Sequence, residues 1–128
     1  MKIPCEIVVW QVLPLIRREL AKELVQVHRL SQAEVARRFG VTDAAVSQYL
    51  TKKRGGEYSD SPSYPDFIKA VSDSAAAIAN GADVSEEVCR LCIVAKRCGL
   101  LSEIYHEQTG SYPPKCAGAY VRESVDSR

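Results

Sequence analysis

The segment from Ser31 to Leu50 constrains the fold more than any other part of this 128-residue chain. Apolar residues recur at helical spacing on both sides of Gly40, and Ser31 and Thr42 stand where each helix would begin. Ser31 and Glu34 form a capping-box pattern, in which each side chain satisfies a backbone N–H of the other residue. Gly40 suits a turn, because glycine adopts backbone conformations that side chains resist. The segment predicts two short helices joined by a tight turn.

The faces of these two helices have different compositions. Ala36 is small enough to let the second helix approach the first, and the inner faces are apolar, with Val35, Phe39, Val41, Val46 and either Tyr49 or Leu50. The outward positions Thr42, Ala44, Ala45, Ser47 and Gln48 carry small or short polar side chains. Side chains of this kind on the second helix can reach base edges in the major groove, so the pattern predicts a DNA-binding helix-turn-helix.

Residues 31–50 resemble the DNA-binding segment of the lambda-repressor/Cro-like (XRE) helix-turn-helix family. Together with Ile3-Pro4-Cys5-Glu6 and Leu13-Pro14-Leu15-Ile16-Arg17, they look like a group of small archaeal transcriptional regulators. The resemblance is specific over about residues 13–55 and weaker over the second half. It implies binding to double-stranded DNA. A chain of this size offers one recognition helix, and pairing two gives specificity that one lacks, so we expect a homodimer.

The resemblance also implies a role for each outward residue. Gln32 would bind a phosphate, Thr42 and Ala44 would meet the backbone or a thymine methyl, and Ser47 and Gln48 would face base edges. Lys52, Lys53 and Arg54 would hold phosphates, which adds affinity without reading sequence. The full predicted DNA-binding set is Gln32, Thr42, Asp43, Ala44, Ala45, Ser47, Gln48, Lys52, Lys53 and Arg54.

The other segments also read as helices. The first helix is predicted from Pro4 to Val27, with a kink or break near Leu13 caused by Pro14. Its apolar residues are Leu15, Ile16, Leu20, Leu24 and Val27, with Arg17, Arg18, Lys22 and Glu23 between them. The second and third helices end at Gly40 and Leu50.

Three further helices follow a segment of Gly, Ser and Pro. A fourth is predicted from Asp66 to Ala79 with Phe67, Val71, Ala75 and Ile78 on its apolar face, a fifth from a Ser85 cap to Cys98-Gly99, and a sixth from Leu100 to Gln108. The predicted fold is therefore all-α. We divide it into a helix-turn-helix domain (1–57), a linker (58–65) and a helical cysteine-rich or dimerisation region (66–128).

Charge is divided unequally between the two halves. Residues 1–57 hold ten Lys/Arg and six Asp/Glu, whereas residues 58–128 hold seven and ten. The basic half is the one that would meet a polyanion. No stretch approaches the roughly 20 apolar residues of a membrane helix, and the first residues do not resemble a signal peptide, so we expect a cytoplasmic protein without membrane contact.

Four of the five cysteines follow the pattern Cys89-x2-Cys92-x5-Cys98-x17-Cys116. Clustered cysteines in a cytosolic chain are more often metal or redox groups than structural disulfides. Four thiolates can hold an iron–sulfur cluster or one zinc ion. The uneven spacing favours an iron–sulfur cluster, of the 4Fe–4S type, that senses redox or iron state. Zinc, or cysteines that are small core residues, are the alternatives.

Three residues outside these motifs leave alternatives open. Cys5 is either a core residue of the first helix or a ligand supplied from a partner subunit, and Trp10 and Tyr105 are core or dimer contacts. Enzymatic activity is not expected, because the chain lacks a nucleophile with a nearby base, a glycine-rich phosphate loop and paired acids. The sequence thus predicts a redox- or iron-responsive transcriptional regulator. The alternative is a regulator or antitoxin-like protein, with zinc or no metal, whose second half binds a protein partner.

Overall fold

The computed structural model describes residues 8–51 and 61–110, without the side chains of Val9 and Gln108. Within these ranges the chain forms six α-helices, preceded by one π-helical turn, and no strand. The prediction of an all-α fold is confirmed for this part of the chain. The π-helical turn is Val8–Val12, and the helices are α1 Leu13–Gln26, α2 Gln32–Phe39, α3 Asp43–Thr51, α4 Tyr64–Ala79, α5 Val84–Arg97 and α6 Leu100–Thr109.

The first predicted helix is divided near Leu13, next to Pro14, as predicted. The π-helical turn gives way to α1 at Leu13, and Pro14 lies in the first turn of α1, where its missing N–H breaks no intrahelical bond. The helix ends at Gln26, and Val27 is 57% exposed. The placement of Val27 on the apolar face was therefore wrong, because the helix stops before the periodicity does.

Helix α1 is the centre of the fold. It packs against α2, α3, α4, α5 and the π-helical turn. Because neighbours surround it, Glu19, Lys22 and Glu23 are buried along with its apolar residues. None of these three charged residues lacks an interaction partner, as burial of a charge requires.

One hydrophobic core takes residues from both sides of the segment predicted as a linker. Helix α4 packs along α1, and its predicted apolar residues Phe67, Val71, Ala75 and Ile78 are fully buried. The helix begins at Tyr64, two residues earlier than predicted, with Pro65 in its first turn. It ends at Ala79, as the sequence predicted, with Asn80 as its C-cap and Gly81 following at φ 107°.

Helix α5 is capped by Asp83 and not by Ser85 as predicted. The Oδ2 atom of Asp83 accepts a hydrogen bond from the backbone N–H of Glu86 at 3.0 Å. Both residue types are good caps, but Asp83 has the extended backbone, φ −71° and ψ 128°, that an N-cap needs. Ser85 is exposed inside the first turn.

The α5–α6 junction is tight. Gly99 has φ 98°, and a Cβ placed there would lie 3.1 Å from Oγ of Ser63. That hydroxyl lies 2.8 Å from both the carbonyl oxygen of Cys98 and Oε2 of Glu103. The turn before α4 is thereby joined to the junction, and α6 buries Leu100, Leu101, Ile104 and Tyr105 against the core.

None of the helices in the described ranges combines the length and apolar character that a membrane crossing requires.

Candidate nucleic-acid interface and cysteine residues

The turn between α2 and α3 is fixed by backbone hydrogen bonds. Gly40 has φ 70° and ψ 33°, a left-handed conformation, and its N–H donates to the carbonyl oxygens of Ala36 and Arg37. The N–H of Val41 also donates to the Ala36 carbonyl, at 3.0 Å. A left-handed glycine with these bonds is a common way to end a helix, and it confirms the predicted turn at Gly40.

Hydroxyl groups cap both helices. The Oγ atom of Ser31 accepts from the N–H of Glu34 at 3.0 Å, and Oγ1 of Thr42 accepts from the N–H of Ala45 at 3.1 Å. Each satisfies a backbone donor that the first turn of a helix leaves unpaired. The predicted starts of α2 and α3 are confirmed.

The Glu34 carboxylate has a different partner from the one that a capping box requires. It accepts hydrogen bonds from Arg37 and from Nε of Arg38, the latter at 2.7 Å. These hydrogen bonds lower the pKa of Glu34 from its ordinary value of 4.5 to about 2. The second half of the predicted capping box was therefore wrong: two arginines one turn ahead compete for the carboxylate.

Arg38 also joins α2 to the second half of the chain. Its Nη1 atom donates to the carbonyl oxygen of Ile78 at 2.6 Å. Ile78 lies in the last turn of α4, where a positive charge is favourable, and its carbonyl also accepts from the N–H of Gly81 at 2.9 Å. The position of α2 is thus tied to α4.

The inner residues of the α2–α3 pair lie in the core as predicted. Val35 and Val46 are fully buried, and Ala36 is 3% exposed. Phe39, Val41, Tyr49 and Leu50 are partly buried and pack against the same core. Since α3 packs on both α1 and α2, its opposite face is held toward solvent.

That outward face contains most of the predicted DNA-binding residues. Thr42, Asp43, Ala44, Ser47 and Gln48 are exposed. Gln32 is exposed at the start of α2, and Ala45 is half-buried. Lys52, Lys53 and Arg54 lie outside the described residues.

Thr51 extends this face, although it was not among the DNA-binding residues predicted from the sequence. It is exposed, and its hydroxyl donates to the Gln48 carbonyl at 2.9 Å. It follows Ser47 by four residues and Ala44 by seven, the spacing of residues on one side of a helix. That spacing could have identified it. We name the exposed residues Ala44, Ser47, Gln48 and Thr51 the α3 outer face.

Cys89 and Cys92 line one groove, as expected for two residues three apart on a helix. The groove has a volume of about 450 Å³ and lies between the π-helical turn, α1, the end of α2 and α5. Its wall includes Val8, Arg17 and Phe39. Cys89 is exposed and Cys92 is half-buried. Burial raises the pKa of the Cys92 thiol. We call this space the α1–α5 groove.

Cys98 lies elsewhere. It is half-buried at the α5–α6 junction, and its Sγ is 3.9 Å from the carbonyl oxygen of Ala95 in its own helix. Burial raises the pKa of this thiol, and the nearby carboxylates of Asp66 and Glu103 raise it further. Cys116, the fourth predicted ligand, lies outside the described residues, as does Cys5.

Within residues 8–51 and 61–110, no three His, Cys, Asp or Glu side chains are grouped as a metal would require. The predicted four-thiolate site therefore stays a prediction. Trp10, expected in the core or at a dimer contact, is 71% exposed, whereas Tyr105 is 6% exposed and belongs to the core.

Comparison of the chain with protein-family models, with curated proteins and with solved structures found no match.

Proposed function

We propose that this protein binds double-stranded DNA in a sequence-specific manner through the α3 outer face, and that it regulates transcription. One observation carries the proposal. The α3 outer face is polar and exposed, while buried Val35, Ala36 and Val46 hold the opposite side. A short helix held this way, after a left-handed glycine turn, has the geometry that major-groove readers use.

The chemistry of the outer face supports base contacts. Gln48 has an amide that can pair bidentately with adenine, and Ser47 can donate to or accept from a base edge. Ala44 has a methyl group that suits a thymine methyl. None of these side chains takes part in the core, so substituting them should change binding and leave folding intact.

The charge distribution supports contact with phosphates. Basic residues exceed acidic ones in residues 1–57, and Lys52, Lys53 and Arg54 directly follow α3 in the sequence. Arg38 is not counted among the phosphate contacts, because it is engaged by Glu34 and by the Ile78 carbonyl. Arg37 is more available, since its side chain is 71% exposed beside Glu34.

We also propose a homodimer, since one recognition helix per chain reads few base pairs. Trp10 supports a protein contact, because a tryptophan that is 71% exposed is the residue type most enriched at binding hot spots. Sedimentation of the wild-type chain and of Trp10→Ala tests this. A dimer that weakens in the variant is expected, and a wild-type monomer at micromolar concentration would refute it.

The DNA proposal is tested with fluorescence anisotropy on duplexes from the chain's own promoter, over a series of salt concentrations. We expect affinity to fall steeply with salt, because phosphate contacts release counterions. Lys53→Ala should weaken binding to all duplexes and reduce the log–log salt slope by about 1. Lys69→Ala, an exposed lysine on α4, is the matched control and should change neither. No binding at low salt, with or without added metal, would refute the proposal.

The sensing role assigned to the four cysteines remains a prediction. The antitoxin-like alternative, in which the second half binds a protein partner, also remains a prediction. Metal analysis and a visible spectrum after anaerobic purification distinguish these two hypotheses. Colour and iron favour the cluster. A colourless, metal-free protein that co-purifies with a defined partner in fixed stoichiometry favours the alternative.

A further inference from the structure

The outward side of α5 carries an exposed apolar residue between two exposed charges of opposite sign. Ile93 is 46% exposed, one of three large apolar side chains that are exposed in the part of the chain that the structure describes. Glu86 and Arg97 are exposed on either side of it along the helix. The opposite side of α5 is fixed in the core through the buried residues Leu91 and Ala95.

The spacing of these residues places them in one line along the helix. Glu86, Arg90, Ile93 and Arg97 are separated by four, three and four residues, and residues with this spacing are neighbours on one side of an α-helix. All four are exposed. We call them the α5 outer stripe. Its charge is acidic in the first turn of the helix and basic in the last turn.

The two terminal charges of the stripe have no partner among the described residues. Neither Glu86 nor Arg97 forms an ion pair or a side-chain hydrogen bond there. They are eleven residues apart, about 16.5 Å along the helix axis, so they cannot pair with each other. Helix α2 has the same order of charges, but its Glu34 is bound by Arg37 and Arg38. The stripe of α5 therefore offers both of its terminal charges to another molecule.

A second copy of the same helix complements this stripe. A two-fold axis that crosses α5 midway between Arg90 and Ile93 makes the two helices antiparallel. It places Glu86 opposite Arg97 of the partner subunit, and Arg97 opposite the partner's Glu86, because both residues are equally far from the axis. An isologous contact requires this equality, since each pair of residues meets twice.

The centre of the stripe fits the same arrangement. The two copies of Ile93 lie about 4.5 Å apart along the helix direction, so each covers the exposed surface of the other. Arg90 is as far from the axis as Ile93, and its Nε atom lies 3.3 Å from Oε1 of Glu87. Glu87 therefore offsets the positive charge of the two Arg90 side chains where they approach each other near the axis.

We propose that a second copy of this chain binds the α5 outer stripe through its own stripe, with the two α5 helices antiparallel. A stripe that is acidic at one end and basic at the other is complementary in charge to its own antiparallel copy. The inference rests on the homodimer of the proposed function and gives that homodimer an interface. Trp10 lies on the π-helical turn, which also packs against α5, so both contacts can belong to one interface.

The test is sedimentation equilibrium of the full chain, without DNA, for Glu86→Arg, for Arg97→Glu and for the variant with both changes. Each single reversal brings like charges together at two points in the dimer, so we expect the dissociation constant to rise by about tenfold or more. The double variant should recover the wild-type value within about threefold, because opposite charges meet again. A mixture of the two single variants should form a heterodimer for the same reason.

Recovery distinguishes a contact between subunits from an effect on the helix itself. Reversing both charges puts a base in the first turn of α5 and an acid in its last turn, which opposes the helix dipole at both ends. An effect on the helix would therefore be largest in the double variant. Circular dichroism checks that each variant has folded. If a reversal prevents folding, Ile93→Lys decides: it leaves both terminal charges in place and should raise the dissociation constant by about tenfold or more.

Asp73→Arg, at an exposed acid on α4, is the matched control and should change the dissociation constant by less than about twofold. Three results would overturn the inference: unchanged dissociation constants in Glu86→Arg and Arg97→Glu, no recovery in the double variant, or dimerisation of Ile93→Lys as strong as that of the wild type. Each of these leaves the homodimer in place and removes only its interface at α5. A monomeric wild type would overturn the homodimer together with this interface.

Discussion

Replacing Gly40 with alanine is expected to destabilise the protein, although alanine is usually the better residue in helical surroundings. The φ of 70° at Gly40 lies in the left-handed region, which costs an L-residue about 1–2 kcal/mol. A Cβ at this position would meet no atom within 4 Å, so steric overlap adds nothing. Alanine also restricts the unfolded chain more than glycine does, which stabilises the folded state by about 0.4–1 kcal/mol. The net loss is roughly 1 kcal/mol.

The assay is chemical or thermal denaturation of the wild type, Gly40→Ala and Gly40→Asn. A loss of roughly 1 kcal/mol lowers Tm by about 3–5 °C for a chain of this length. Asparagine enters the left-handed region more readily than alanine, so Gly40→Asn should lose about half as much. The sign of the stability change in Gly40→Ala shows whether Gly40 adopts the left-handed conformation. If Gly40→Ala is as stable as the wild type or more so, the left-handed turn between α2 and α3 is not present.

Three further substitutions test other contacts. Glu34→Gln should reduce the pH dependence of stability at acid pH. Folding lowers the pKa of Glu34 from 4.5 to about 2. The stabilisation from Glu34 is therefore present above pH 4.5 and is lost as the pH falls toward 2. Melting temperatures between pH 2 and 6 test this, and parallel curves would contradict it. Ser63→Ala should cost about 1–2 kcal/mol in urea, through the lost contact with Cys98 and Glu103, and an unchanged midpoint would count against that contact. Arg29→Gly should raise stability by about 0.5–1 kcal/mol, since Arg29 has φ 62°; a lower Tm would contradict it.

Local signals in the sequence predicted most of the α2–α3 pair. Ser31 and Thr42 cap as expected, and Gly40 turns as expected, because caps and glycine turns depend on residues within one turn of the chain. Where two suitable caps stood close together, as with Asp83 and Ser85, the backbone conformation decided between them. That conformation is set by the loop between α4 and α5 and is not readable from residue type.

Long-range contacts could not be predicted in the same way. The contact between Arg38 and the Ile78 carbonyl spans 40 residues, and periodicity shows which face of a helix is buried but not which neighbour covers it. The burial of Glu19 and Lys22 has the same origin, because α1 is enclosed on several sides.

The cysteines illustrate a related limit. Spacing along the chain grouped Cys98 with Cys89, but a continuous helix puts them about 2.5 turns apart. A spacing pattern predicts a shared site only where the intervening chain can bend back. The chain from Cys89 as far as Arg97 lies in the continuous helix α5.

Sequence-specific DNA binding by the α3 outer face is the central property that we propose for this protein. The most direct measurement is the ratio of Kd values for a promoter duplex and a scrambled duplex, determined for the wild type, Gln48→Ala and the control Gln26→Ala, an exposed glutamine at the end of α1. We predict that Gln48→Ala weakens promoter binding by about 1–3 kcal/mol, or about 5- to 150-fold, and leaves scrambled-duplex binding and Tm unchanged. Equal affinity of the wild type for both duplexes, or an unchanged ratio in Gln48→Ala, would contradict sequence reading by the α3 outer face.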